Sequence, residues 1–118
     1  MDVKGIVIVH LAPLELSYCY VFDVLVRRDL VNDFKWLKEI FYEVKCPIVE
    51  KVLKYLNNYE YIGSEDTCHG IFGYNGYIMG LVNELVEKHG FIELIFEEEP
   101  HNVTIEDVEK ALKEKNLI

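Results

Sequence analysis

The stretch DTCHGIFGYNGYIMG, Asp66 to Gly80, holds glycines at 70, 73, 76 and 80, an adjacent Cys68 and His69, and tyrosines at 74 and 77, with no Lys, Arg, Asp or Glu after Asp66. A Gly-rich turn that opens a helix can hold phosphate, because the first N–H groups of the helix are unpaired and its dipole puts partial positive charge there. On that reading Gly70, Gly73, Tyr74, Asn75, Gly76 and Tyr77 form a ligand cradle, with the backbone amides facing the ligand. Electrostatics oppose it: no Lys or Arg occurs between Lys54 and Lys88, and neither a Walker pattern nor a dinucleotide fingerprint is present. The structural alternative is that Gly70 and Gly73 serve tight turns, while Gly76 and Gly80, four apart on one helix face, let another backbone come close.

Cys68 and His69 could both ligate a metal from a loop, with Glu65, Asp66 or His101 as partners. Zinc, however, normally takes four ligands in recognisable spacings, and none occurs here, so the sequence assigns no metal site. Cys68 as a nucleophile would need an oriented base and a lowered thiol pKa, which neighbouring Asp66 and Glu65 oppose. Tyr55, Tyr59, Tyr61, Tyr74 and Tyr77 could line a pocket or face a partner subunit. Glu97, Glu98 and Glu99 with His101 read as a solvated turn, and His10 as a satisfied core residue. No catalytic residue or cofactor is identified.

Gly73-Tyr74-Asn75-Gly76-Tyr77-Ile78, a helix ending at Glu87-Lys88-His89-Gly90-Phe91, and then FIELIFE resemble the acetyl-CoA-binding turn, helix and strand of the N-acetyltransferase superfamily. The resemblance implies pantetheine or pyrophosphate at Gly73 and Gly76. It departs from the family in lacking the basic residue before the glycines, and residues 59–72 leave no room for the family's intervening strands.

The elements around this stretch follow from periodicity. VKGIVIVHL, residues 3–11, is β-branched and almost wholly apolar, as expected of a central strand covered on both faces. From 14 to 26 every even position is apolar or aromatic, while Glu15, Ser17, Asp23 and Arg27 fall on the other face, a period-two pattern that predicts a second strand, hairpin-paired to the first and bent or looped in its early part. Asp33 or Asn32 is placed to cap a helix burying Phe34, Leu37, Phe41 and Val44. Cys46-Pro47 interrupts it and opens another, with Ile48, Val49, Val52, Leu53 and Leu56 inward. A short strand over 59–63, a helix over 75–89 stopped by Gly90, a strand over 91–97 and a helix over 105–116 capped at Thr104 complete the order ββααβαβα. Strand, helix and strand in succession predict a parallel pair. The fold class is α+β: a two-layer, mixed four-stranded sheet with helices, in a single domain spanning 1–118.

Composition narrows function by exclusion. The chain has 118 residues and a net charge of −9, which disfavours nucleic acid and anionic membranes as partners. Three dispersed cysteines and an N-terminus without a basic leader lead to a cytoplasmic expectation. The absence of Gln, with Glu and Lys dominating the charge, fits a thermophilic source. Thr67 to Asn83 carries no charge except on a protonated His69, although charged residues make up 28% of the chain. A neutral run of that length calls for shielding, and a second copy would complete it. The expectation is a homo-oligomeric regulatory or interaction module, with an acyl-CoA- or nucleotide-dependent ligand-binding protein or enzyme as the alternative.

Overall fold

A computed structural model describes residues 2–11, 20–42, 45–67 and 76–118. Strands β1 (Gly5–Leu11), β2 (Tyr20–Arg27), β3 (Tyr59–Asp66) and β4 (Phe91–Ile95) form one sheet in the order β3-β2-β1-β4. Helices α1 (Pro47–Leu53), α2 (Gly76–Lys88) and α3 (Ile105–Glu114), with 3-10 segments at Arg28–Glu39 and Pro100–Asn102, pack on it. β1 pairs antiparallel with β2 and parallel with β4, and β2 pairs antiparallel with β3. This is the mixed four-stranded α+β architecture expected from the sequence, with β1 inside the sheet. The parallel pair differs from the expected one: β4 bonds to β1, while β3 lies at the opposite edge, so the connection through α2 passes both inner strands.

Helices cover both faces of the sheet, one layer more than the two-layer expectation. The first face presents Val7, Val9, Phe22, Val24, Val26, Ile62 and Phe91 to the 3-10 segment and α2. The second presents Ile6, Ile8, Leu25, Tyr59 and Leu94 to α1 and α3. Strand side chains alternate between faces, so a strand apolar at both parities has two surfaces to cover. Burying such residues contributes roughly 25 cal/mol per Å² of apolar surface. β2 follows the same rule, and its odd face, expected to be polar, is closed over by Ile48, Val49 and Val52 of α1, so that Asp23 is completely buried.

The segment expected to be an α-helix from residue 33 is instead a 3-10 helix that begins at Arg28 without a side-chain cap and kinks at Phe34 (φ −116°, ψ 17°). Its inward residues explain this. Val31, Phe34, Leu37 and Ile40 recur every third residue and all pack on the first-face core, a spacing that matches three residues per turn. Phe34 sits edge-on to Phe91 at 5.1 Å and to His89 at 6.0 Å between ring centroids. Pro47 opens α1, as expected. Gly90 follows α2 with φ +75°, the left-handed stop. Thr104 and Asp107 form a reciprocal capping box on α3. No helix among the described residues is long and apolar enough to cross a membrane.

One irregularity of β3 bears on chemistry. Val24 pairs with Gly63 but Leu25 with Tyr61, leaving Ile62 as an extra residue, a β-bulge. In a regular strand residues three apart lie on opposite faces. The bulge reverses the parity, bringing Tyr61 and Ser64 to the second face together, while Ile62 packs on the first.

Candidate functional site

Under the N-terminus of α1 the second face turns polar. His10 near the end of β1, Asp23 of β2 and Ser64 of β3 are each fully buried. Asp23 pairs with Ile8 and with Ser64 across the sheet, which places its carboxylate between His10 and Ser64. His10 Nε2 lies 2.9 Å from Asp23 Oδ2. Ser64 Oγ donates to Asp23 Oδ1, and Tyr61 Oη lies 2.6 Å from Ser64 Oγ. Because the single hydroxyl hydrogen of Ser64 goes to Asp23, the Tyr61 hydroxyl donates to Ser64.

His10 Nδ1 is 3.2 Å from the Leu11 carbonyl oxygen. A carbonyl can only accept, so this contact places one hydrogen on Nδ1, and the 2.9 Å contact of Nε2 with Asp23 requires a second hydrogen shared between them. Cys46, the half-buried residue preceding α1, completes the cluster: one ligand atom each from His10, Asp23 and Cys46 all lie within 4.8 Å of one another. Burial, then the Asp23 charge, push the Cys46 thiol up to about 12. Cys46 is therefore a protonated thiol here, not an activated nucleophile. Burial likewise raises Tyr61, reinforced by the charge on Asp23. Lys45 stands 5.7 Å from the centre of the Tyr61 ring.

Every buried side-chain nitrogen and oxygen among the described residues has a partner. A satisfied polar network inside an apolar layer is stiff, whereas a half-satisfied one would be costly. A cleft of about 730 Å³ lies at the other end of the strands, against Arg27, Arg28, Asp29, Asn57 and Asn58. There the Arg27 guanidinium is already committed to Asp29 at 2.7 Å and Asp2 at 2.5 Å.

Of the residues singled out by sequence, Cys68, His69, Gly70, Gly73, Tyr74 and Asn75 lie outside the described residues. Gly76 opens α2, and Tyr77 is 66% exposed in its first turn. Glu65, weighed as a metal partner, pairs across from Phe22 and so lies on the first face, away from Asp23. His101 is exposed and 3.3 Å from Glu99. The described tyrosines do not share a pocket: Tyr55, Tyr59 and Tyr61 pack on the second face, while Tyr77 faces out from the layer over the first.

His10 is the satisfied core residue expected, but its partners are not evident from spacing. Positions 10, 23, 46 and 64 meet only through sheet register and the docking of α1. The available signal was compositional: one acid inside YVFDVLV and one histidine closing GIVIVHL, polar groups set in strands otherwise apolar. Compared with protein-family models, curated proteins and solved structures, the chain matches none.

Proposed function

We propose that this protein is a cytosolic, homo-oligomeric regulatory or interaction module, associating through the outward strip of α2. The observation that carries this reading is Gly80. It sits exposed inside α2, and a Cβ added there would meet nothing within 4 Å. A mid-helix glycine costs about 1 kcal/mol relative to alanine, and no neighbour among the described residues requires its small size. Approach by a second backbone would supply that requirement.

The flanking residues agree. Tyr77, Gly80 and Asn83 succeed one another at three-residue intervals, all exposed and uncharged, in a chain of net charge −9. A neutral strip is the part of such a surface where two identical copies meet with least repulsion, and tyrosine is favoured at interface centres. Sedimentation velocity tests it. The expected result is a dimer that Tyr77→Glu converts to a folded monomer; a monomeric parent protein at all accessible concentrations overturns it.

The second reading, an acyl-CoA- or nucleotide-dependent protein or enzyme, rests on the start of α2. Its first turn carries no acidic side chain to compete with an anionic ligand. Saturable thermal stabilisation by coenzyme A or ATP, lost in Gly76→Val, would favour it over the module.

A further inference from the structure

We propose that His10, Asp23 and Cys46 form a binding site for a single borderline-soft divalent transition-metal ion of the zinc and cobalt(II) class. The three groups come from β1, β2 and the residue capping α1, yet bring a nitrogen, an oxygen and a sulfur ligand atom within 4.8 Å of one another. One imidazole, one carboxylate and one thiolate are donors that zinc accepts, and the sulfur disfavours magnesium and calcium.

The surroundings are those of a ligand set held in place. His10 uses Nδ1 on the Leu11 carbonyl, so the ring cannot turn and Nε2 is the nitrogen presented to the site. A second-ring-nitrogen contact of this kind is the usual support of a metal-bound histidine. Asp23 is oriented in the same way, its other oxygen held by Ser64, which Tyr61 steadies in turn. The bulge at Ile62 that brings Tyr61 and Ser64 to one face therefore supports the carboxylate from behind. His10 and Asp23 have no exposed surface, whereas Cys46 is partly accessible at the N-cap of α1. An ion enters from the Cys46 side, displacing the thiol hydrogen and the hydrogen shared between His10 and Asp23 to solvent as it binds.

Cobalt(II) titration of the full-length, chelator-treated protein reads this directly, since thiolate ligation produces an intense near-ultraviolet charge-transfer band. The expected result is a band that saturates at one equivalent, is displaced by zinc, and persists in Cys19→Ser and Cys68→Ser but not in Cys46→Ser. Ser64→Ala, which touches no ion, weakens cobalt binding about 10-fold while keeping the band. Absence of a saturable band in the parent protein overturns the site and leaves a purely structural hydrogen-bond network. A band retained in Cys46→Ser overturns it too, assigning the metal to another cysteine. Circular dichroism of Cys46→Ser guards against reading misfolding as loss of a ligand, and if that variant does not fold, retention of the band in Cys46→Ala overturns the site equally.

Discussion

The carbonyl oxygen of Phe41 crosses so close to Gly63 that a Cβ built on the glycine would stand 1.8 Å from it. This contact pins the end of the 3-10 segment against the edge strand, one residue from Ser64 and beside the bulge that aligns Tyr61 with it. Gly63→Ala must push a backbone atom aside, not merely a flexible side chain, and overpacking of this kind costs about 1–3 kcal/mol. A lower urea midpoint with an unchanged m-value is expected. Equal midpoints for the two proteins would show that the crossing relaxes freely and that the bulge does not depend on it.

Asp23 is the hub of the buried network, accepting from Ser64, sharing a hydrogen with His10 and lying beside the Cys46 thiol. Asp23→Ala strands His10 and Ser64 without water, and each buried polar group left unsatisfied costs about 1–3 kcal/mol. Replacing both members of the pair, as in Asp23→Leu with His10→Leu, removes charge and partner together and is expected to cost less than the sum of the single changes. The double-mutant cycle, read by chemical denaturation, would return a coupling energy near zero if the two side chains do not interact.

Cys46 gives the alkaline side of the stability profile its shape. Its thiol is raised in the folded state to about 12, so folding favours the protonated form. That stabilisation is complete below the ordinary thiol value and is lost as pH rises from there toward 12. Tyr59 and Tyr61, both raised by burial, act in the same direction at somewhat higher pH. Thermal melts from pH 8 upward are expected to decline, and to decline less steeply in Cys46→Ser. At pH 8 the folded thiol should also react with a thiolate-selective reagent far more slowly than after denaturation. Equal rates in the two states would contradict a half-buried thiol beside a carboxylate.

Much of the architecture was legible because local rules and tertiary packing agree. The alternation of Tyr20, Phe22, Val24 and Val26, the 3- and 4-residue spacing of Ile78, Leu81, Val82 and Leu85, the proline of α1 and the Thr104 cap each specify their element without outside help. Where the sequence misled, two periods competed. Phe34, Leu37 and Phe41 fit an α-helical stripe, yet Val31, Phe34, Leu37 and Ile40 fit a 3-10 one, and only the sheet surface decides between them. The His10, Asp23 and Cys46 cluster was illegible for a different reason. Its members are distant in sequence, and the register that aligns them depends on long-range pairing that no window of the chain contains.

Gly80 separates a helix that merely tolerates glycine from one that needs it. In an isolated chain Gly80→Ala fills open solvent space and gains about 1 kcal/mol of helix propensity. If α2 packs against a second copy, the same methyl group enters the close approach and weakens association; a loss of about 1.4 kcal/mol raises the dimer dissociation constant about tenfold. The proposed dimer therefore predicts opposite signs in two measurements on one variant: a higher melting temperature at the lowest protein concentrations and weaker self-association by sedimentation equilibrium. A uniform gain in stability with unaltered association would mean that the exposed strip of Tyr77, Gly80 and Asn83 faces water.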